Sequence, residues 1–183
     1  AFFRRQRQMC IRDSVWSGKD KNHVPNNWLS VFGGSSWKWN ENRKMFFLHN
    51  FLDSQPDLNF HNPEVQEQML KEIKFWLDFG IDGFRFDVIN FIFHDKELRD
   101  NPLKDKSEVR PLGFNKDNPY GLQHHIYDNT QKEVPAYLQK IRMLLDRYGA
   151  ISIGEVVSDK PFETIAAYTC LLYTSPSPRD AES

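Results

Sequence analysis

A length of 183 residues is enough for one sizeable hydrophobic core, and a hydrophobic content of 39% with a mean hydropathy of −0.65 is typical of a soluble globular protein. A net charge of −1 at pH 7 gives no electrostatic reason to expect a nucleic-acid partner. No apolar run approaches the roughly 20 residues that a membrane-spanning helix requires, so we expect no association with a membrane.

The two terminal segments differ in character from the rest of the chain. Residues 1–14 contain the arginine-rich stretch RRQRQMCIRDS, and residues 170–183 begin with CLLYTSPSPRD. A DNA sequence that encodes MCIRDS has a reverse complement that encodes CLLYT, and both segments resemble translated sequencing-library adapters. We therefore predict that residues 1–14 and 170–183 are adapter-derived. The alternative is a pair of disordered termini.

The segment from residue 15 to residue 60 is rich in Asn, Ser, Gly and aromatic residues. Pro25 and the pair Gly33–Gly34 interrupt any regular pattern. Only KMFFLHNF, residues 44–51, has the composition of a strand. We expect an ordered region that consists mainly of loops.

Helical periodicity begins after this segment. Asn62 can cap a helix that has Pro63 in its first turn, and Gly80 supplies a stop signal. A buried strand is predicted over residues 81–89. The polar connection from 94 to 131 is too long for a simple link, so we expect a functional loop there.

A second helix is predicted over residues 134–148, a second buried strand over residues 150–156, and a further helix from Pro161 onward. Helices that alternate with strands indicate an α/β fold with a parallel sheet. In such folds the functional side chains lie at the carboxyl ends of the strands. Asp87 and Glu155 occupy the two predicted strand ends.

The first of these strands has one charged face. Side chains alternate along a strand, so Arg85 and Asp87 share one face while Phe84 and Phe86 share the other. Arg85 can hold Asp87 in its ionised form. Glu155 has no cation beside it in the sequence and follows an apolar strand, which suits a proton donor.

Two carboxyl groups on neighbouring parallel strands can lie roughly 5 to 6 Å apart. At this separation, enzymes hydrolyse glycosidic bonds with retention of the anomeric configuration, one carboxylate acting as the nucleophile and the other carboxyl group as the acid. The alternative is that Arg85 and Asp87 form a structural ion pair and that Glu155 merely ends a strand.

Four stretches resemble glycoside hydrolase family 13, the α-amylase family. GFRFDVIN looks like the motif of the fourth barrel strand, and ISIGEV is similar to that of the fifth strand. QPDLN, residues 55–59, matches the signature of the branch that contains oligo-1,6-glucosidases, and DNPYGLQHHIYDNTQ resembles the α-glucosidases of that branch. The motifs occur in the order that the family has, and the resemblance covers residues 15–169.

The resemblance implies a role for each site residue. Asp87 would be the nucleophile, Glu155 the acid and base, and Arg85 the residue that orients and ionises Asp87. Val88, which follows the nucleophile, would contribute to substrate binding. In related glucosidases a valine there accompanies a preference for α-1,6 links and a threonine a preference for α-1,4 links, whereas the loop over residues 93–131 is closer to the α-1,4 members. Both linkages stay open.

The resemblance also implies an architecture. Residues 61–169 would form part of a (β/α)8 barrel, with about strands four and five and their flanking helices. Residues 15–60 would be the end of the loop-rich domain B that is inserted after the third strand. The third catalytic carboxylate of the family follows the seventh strand, which is absent from this chain, so we expect the 183-residue chain to be inactive by itself.

The implied function is hydrolysis of terminal α-linked glucose from short oligosaccharides, in the cytoplasm. The resemblance implies that no cofactor is needed. No metal ion is expected either, since the adjacent His124 and His125 lack the spacing of ligands. The sequence leaves the oligomeric state open. Two alternatives remain: a transglycosylase or isomerase of the same family, and a non-catalytic module such as the transporter heavy chains.

Overall fold

A computed structural model describes residues 13–105, 107–108 and 118–172. Most of the two segments that we predict to be adapter-derived therefore lies outside the described residues. The chain divides into two compact units, which are considered separately. The first unit comprises Ala1–Val65 and Phe91–Gln131, and the second comprises Gln66–Asn90 and Lys132–Ser183.

The first unit contains a three-stranded antiparallel sheet. Its strands are β1 (Trp16–Ser17), β2 (Trp37–Asn40) and β3 (Met45–Leu48), and β3 lies in the middle. The strand predicted within residues 44–51 is confirmed as β3. The sequence did not indicate β2, because tryptophan alternates there with polar residues over only four positions.

Tryptophans form the centre of this unit. Trp28 is fully buried and stacks on Trp37, with ring centroids 6.1 Å apart. The indole N–H of Trp28 donates to the backbone oxygen of Arg99 at 2.8 Å, and that of Trp37 donates to Oδ1 of Asn26 at 2.7 Å. Both rings are thus buried without leaving an indole N–H unpaired, so each adds apolar area to the core at no polar cost.

The long connection predicted over residues 94–131 belongs to the first unit and is held there by side-chain amides. Asn26 Nδ2 donates to the backbone oxygen of Leu98 at 3.0 Å, and Asn27 Nδ2 donates to that of Asn101 at 2.9 Å. A 3₁₀ turn, Pro119–Leu122, interrupts the connection. Its described part is therefore an ordered loop held by specific hydrogen bonds.

Helices α1 (Pro63–Asp78), α2 (Val134–Asp146) and α3 (Pro161–Leu172) lie close to the predicted ranges. Asn62 accepts the backbone N–H of Glu64 at 3.0 Å, which confirms the predicted cap of α1. Helix α2 buries one face, made of Val134, Leu138, Ile141 and Leu145 among others. Helix α3 continues through Cys170 to Leu172, three residues beyond the predicted boundary.

The second unit contains one parallel pair of strands, β4 (Gly83–Phe86) and β5 (Ile151–Gly154). The strands approach so closely at Gly83 that a Cβ atom there would lie 2.5 Å from the backbone oxygen of Ile151. The strand predicted over residues 81–89 is shorter than expected. The chain leaves the sheet after Phe86 because Val88 adopts a positive φ of 37°.

Much apolar surface of this strand pair is exposed. The side chains of Ile151 and Ile153 are 66% and 64% exposed, and Phe84 and Phe86, which we expected to be packed beneath helices, are only half-buried.

No helix among the described residues has both the length and the apolar character that crossing a bilayer demands.

Candidate active site

Asp87 and Glu155 lie at the carboxyl ends of neighbouring parallel strands, as the sequence predicts. Asp87 follows the last residue of β4, and Glu155 follows the last residue of β5. The backbone N–H of Glu155 donates to the oxygen of Phe86 at 2.9 Å, so the ladder between the strands continues into the site. The parallel pairing therefore brings together two carboxyl groups that are 68 positions apart in the chain.

Arg85 contacts both carboxyl groups. Its Nη1 lies 2.8 Å from Oδ1 of Asp87, and its Nη2 donates to Oε2 of Glu155 at 2.5 Å. Glu155 has no cation beside it in the sequence, but the structure places the guanidinium of Arg85 against it. Arg85 is 70 positions away in the chain, but it pairs with Ile153 across the two strands and shares a face with Glu155.

The pKa of Asp87 is lowered from its usual value, first by a hydrogen bond with the carboxyl group of Glu155 and next by the hydrogen bond from Arg85. Both interactions favour the ionised form of Asp87. A carboxylate held ionised close to a second carboxyl group is the combination that a nucleophile and a proton donor require, although retaining enzymes keep the two groups roughly 5 Å apart, farther than a direct hydrogen bond allows. The side chains remain accessible, with 69% of Asp87 and 44% of Glu155 exposed.

Val88, the other residue predicted to belong to the site, is half-buried and has a φ of 37°. A β-branched residue rarely adopts positive φ, because its Cβ then crowds the backbone. The strained residue lies directly after Asp87, where it turns the chain out of the sheet. Strain of this kind persists only where neighbouring contacts hold it, and it is concentrated at functional sites.

Asp57, in the QPDLN stretch of the first unit, is a half-buried residue whose desolvated carboxyl group the sequence did not reveal. Its Oδ2 accepts both the backbone N–H and the side-chain amide of Asn50, each at 2.8 Å. Burial nevertheless raises the pKa of Asp57 to about 7, because desolvation of the carboxylate outweighs these two hydrogen bonds.

We expect the raised pKa of Asp57 to make the protein less stable as the pH rises. The contribution of Asp57 to the free energy of unfolding is fully present below pH 3.8, the pKa of the group in the unfolded chain. It is lost as the pH rises through about 7, the pKa in the folded protein, an effect on the order of 4 kcal/mol. Asp57→Asn keeps an acceptor for Asn50 without the charge, so its Tm should vary less between pH 5 and pH 8. Thermal unfolding of both proteins across this pH range tests the prediction. An equal change of Tm with pH in the variant and in the unsubstituted protein would contradict it.

The two histidines excluded as metal ligands each contact a carboxyl group. His125 Nδ1 lies 2.6 Å from Oδ2 of Asp128 in a buried pair, and His124 Nε2 lies 3.0 Å from Oε1 of Glu108. Across residues 13–105, 107–108 and 118–172, no group of three or more His, Cys, Asp and Glu side chains is placed to hold a metal ion.

Comparison with known proteins gives consistent results. The family model of the α-amylase catalytic domain matches residues 2–175. A probable α-glucosidase of Rhizobium meliloti is 48% identical over 158 residues, which are 85% of this chain and 29% of that protein. Maltase 1 of Drosophila virilis is 40% identical over 144 residues, 79% of this chain and 22% of that protein.

The crystal structure of the α-glucosyl transfer enzyme XgtA is similar with a TM-score of 0.80 and 52% identity, over 86% of this chain and 30% of that enzyme. The chain thus spans less than a third of the length of these proteins. The parallel pair β4–β5 with its helices is a fragment of a TIM barrel. The chain belongs to the α-amylase catalytic-domain family, glycoside hydrolase family 13.

Proposed function

We propose that this chain is part of a retaining α-glucosidase that removes terminal α-linked glucose from short oligosaccharides. One observation carries the proposal: the guanidinium of Arg85 binds Asp87 and Glu155 together at the ends of two adjacent parallel strands. The relatives named as an α-glucosidase and a maltase support the substrate class.

In the first chemical step, Asp87 attacks the anomeric carbon of the terminal glucose. The glycosidic C–O bond breaks, and Glu155 gives its proton to the departing oxygen. The products of this step are a glucosyl ester on Asp87 and the shortened sugar. Arg85 stabilises the carboxylate form of Asp87 before the attack, in keeping with the lowered pKa of that group.

In the second step, Glu155 accepts a proton from water, and the water oxygen attacks the same anomeric carbon. The ester bond to Asp87 breaks, and glucose leaves with the configuration that it had in the substrate. Nucleophile, acid and base are all amino-acid side chains, so the proposed reaction requires no organic cofactor. We place the reaction in the cytoplasm, on family resemblance.

We further propose that β4 and β5 are strands four and five of the barrel and that residues 15–60 end the inserted domain B. The order of the motifs supports this placement, since GFRFDVIN precedes ISIGEV and QPDLN precedes both. The α-amylase catalytic domain matches the chain across all three motifs.

Glucosyl transfer to a second sugar is a second candidate, which is favoured by the 52% identity to an α-glucosyl transfer enzyme. The glucosyl ester on Asp87 would be the same, and a sugar hydroxyl would replace water. The presence of both carboxyl groups in contact with Arg85 argues against a non-catalytic module, which would need neither.

A hybrid enzyme tests the proposal. Residues 15–169 replace the matching segment of the Rhizobium meliloti relative, and glucose release from maltose and isomaltose is measured. We expect hydrolysis with α-glucose as the first product by NMR, and none from the 183-residue chain alone. A hybrid that folds but cleaves no α-glucoside overturns the proposal; one that makes longer sugars in place of free glucose favours transfer.

The residue after the proposed nucleophile offers a test of linkage preference. Val88→Thr keeps a β-branched side chain of nearly the same shape at the strained φ of 37°, so the backbone cost is the same in both proteins. We expect the ratio of kcat/KM for maltose to that for isomaltose to rise by about 10-fold, a typical effect of one small pocket change. An unchanged ratio in the hybrid enzyme would remove Val88 from the determinants of specificity.

A further inference from the structure

Asn90 follows Asp87 by three positions and is fully buried. Its side-chain Nδ2 donates to the backbone oxygen of Val157 at 2.7 Å, and the backbone N–H of Val157 donates to its Oδ1 at 3.3 Å. The amide of Asn90 thus pairs with Val157 as a peptide group of a strand would. Because asparagine offers one donor group and one acceptor on a short stem, it suits this contact.

The backbone between β4 and Asn90 contains one extra residue. In a regular parallel ladder, the oxygen of Glu155 would accept the N–H of Val88. It accepts instead the N–H of Ile89, at 3.1 Å, so Asp87 and Val88 together oppose Glu155. This is a β-bulge, and the positive φ of Val88 accommodates the additional residue.

The bulge ends the regular ladder at the place where the two carboxyl groups must be held. Beyond it, the turn that carries Asp87 is fastened to the segment after Glu155 by two kinds of bond. One is the backbone bond from Ile89 to Glu155, and the other is the pair of bonds between the Asn90 amide and Val157. The segment is therefore bonded to the Asp87 turn at Glu155 itself and again two residues beyond it, at Val157.

We propose that Asn90 is a positioning residue, which sets the separation of Asp87 and Glu155 by bonding the Asp87 turn to Val157. This proposal rests on the proposed glucosidase function and assigns a role to a residue that touches no reacting atom. Removing the amide leaves the N–H and the oxygen of Val157 without these partners, and the segment after Glu155 is then free to move away from the turn. Glu155 would lose its alignment with the leaving oxygen before Asp87 loses its own with the anomeric carbon.

This displacement has a specific kinetic signature. A sugar leaving group such as that of maltose needs the proton of Glu155, whereas fluoride leaves with little protonation. The ratio kcat/KM reports formation of the glucosyl-enzyme when that step is irreversible. We therefore expect Asn90→Ala in the hybrid enzyme to lower kcat/KM for maltose by about 100-fold. For α-glucosyl fluoride we expect a fall of less than about 10-fold.

Two further variants separate positioning from general destabilisation. Asn90→Gln retains an amide and should recover part of the activity on maltose. Asn101→Ala removes another buried asparagine, 2% exposed, whose Oδ1 accepts the backbone N–H of Tyr127 in the first unit. We expect Asn101→Ala to lower the Tm by several degrees, as Asn90→Ala does, and to leave the ratio between the two substrates unchanged.

Each outcome is decisive. A larger loss on maltose than on the fluoride, with partial recovery by glutamine, supports the proposal. Equal losses on both substrates that follow the fall in Tm, or no loss at all, overturn it while leaving the glucosidase function intact. An unsubstituted hybrid that folds and cleaves neither substrate overturns the glucosidase function and, with it, this role for Asn90.

Discussion

Replacing Asp87 by alanine is expected to lower kcat of the hybrid enzyme by about 10⁴-fold or more, because it removes the proposed nucleophile that forms the glucosyl ester. Asp87 is the carboxylate at the end of β4 whose pKa is lowered by Glu155 and Arg85. The substitution removes an accessible side chain at the strand end, so the fold should be retained. Initial rates on maltose and a thermal melt of the same preparation measure the two effects.

Asp82→Ala is the matched control for this substitution. Asp82 is an exposed aspartate one position before β4, and its backbone oxygen, which a substitution preserves, accepts the N–H of Ile151 at 2.9 Å. We expect its kcat to remain within about 2-fold of the wild type, as for most exposed substitutions.

A covalent trap identifies the nucleophile directly. A fluorinated α-glucosyl fluoride that forms the ester but hydrolyses slowly should label the peptide that contains Asp87, as measured by mass spectrometry. A label on another carboxylate, or an Asp87→Ala protein that keeps its activity, would falsify the assignment of Asp87.

Replacing Arg85 by alanine is expected to lower kcat/KM by roughly 10²- to 10³-fold, the usual loss when a charged hydrogen-bond donor is removed from a site. Arg85 binds both carboxyl groups through separate nitrogens of one planar guanidinium. Without it the two groups lose the cation between them, and their relative orientation is no longer fixed.

The same substitution should change the pH dependence in one direction. Arg85 contributes to the lowered pKa of Asp87, so its removal raises that pKa and the carboxylate is protonated at a higher pH. The acidic limb of the kcat/KM profile should therefore move to higher pH. The hydrogen bond with Glu155, which the variant keeps, lowers the pKa of Asp87 more than the bond from Arg85 does. We therefore expect the acidic limb to shift only part of the way toward the usual pKa of an aspartate.

Arg85→Lys and Arg147→Ala serve as controls. Lysine keeps a positive charge but cannot bind two carboxyl groups as a fork. It should therefore return the acidic limb close to its original pH while kcat/KM stays low. Arg147 is an exposed residue at the end of α2, and its removal should affect neither quantity. An Arg85→Ala profile with an unmoved acidic limb would show that Arg85 does not control the ionisation of Asp87.

Helices and strand positions follow from local patterns in this chain. Short stretches of sequence are enough to predict these elements: the cap at Asn62, the apolar repeats of α1 and α2, and the strands β4 and β5. The structure places all of them near the expected positions. The location of Asp87 and Glu155 at strand ends could also be predicted, since a parallel sheet brings the carboxyl ends of its strands to one edge.

The contacts within the site could not be predicted, because they join residues that lie far apart in the chain. The cation beside Glu155 is Arg85, 70 positions away, and the partner of the Asn90 amide is Val157, 67 positions away. The burial of Asp57 likewise depends on how the first unit packs around it. The carboxylates and the strands that carry them are local features of the sequence. Their separation and the cation that joins them depend on through-space distances, which only the tertiary structure determines.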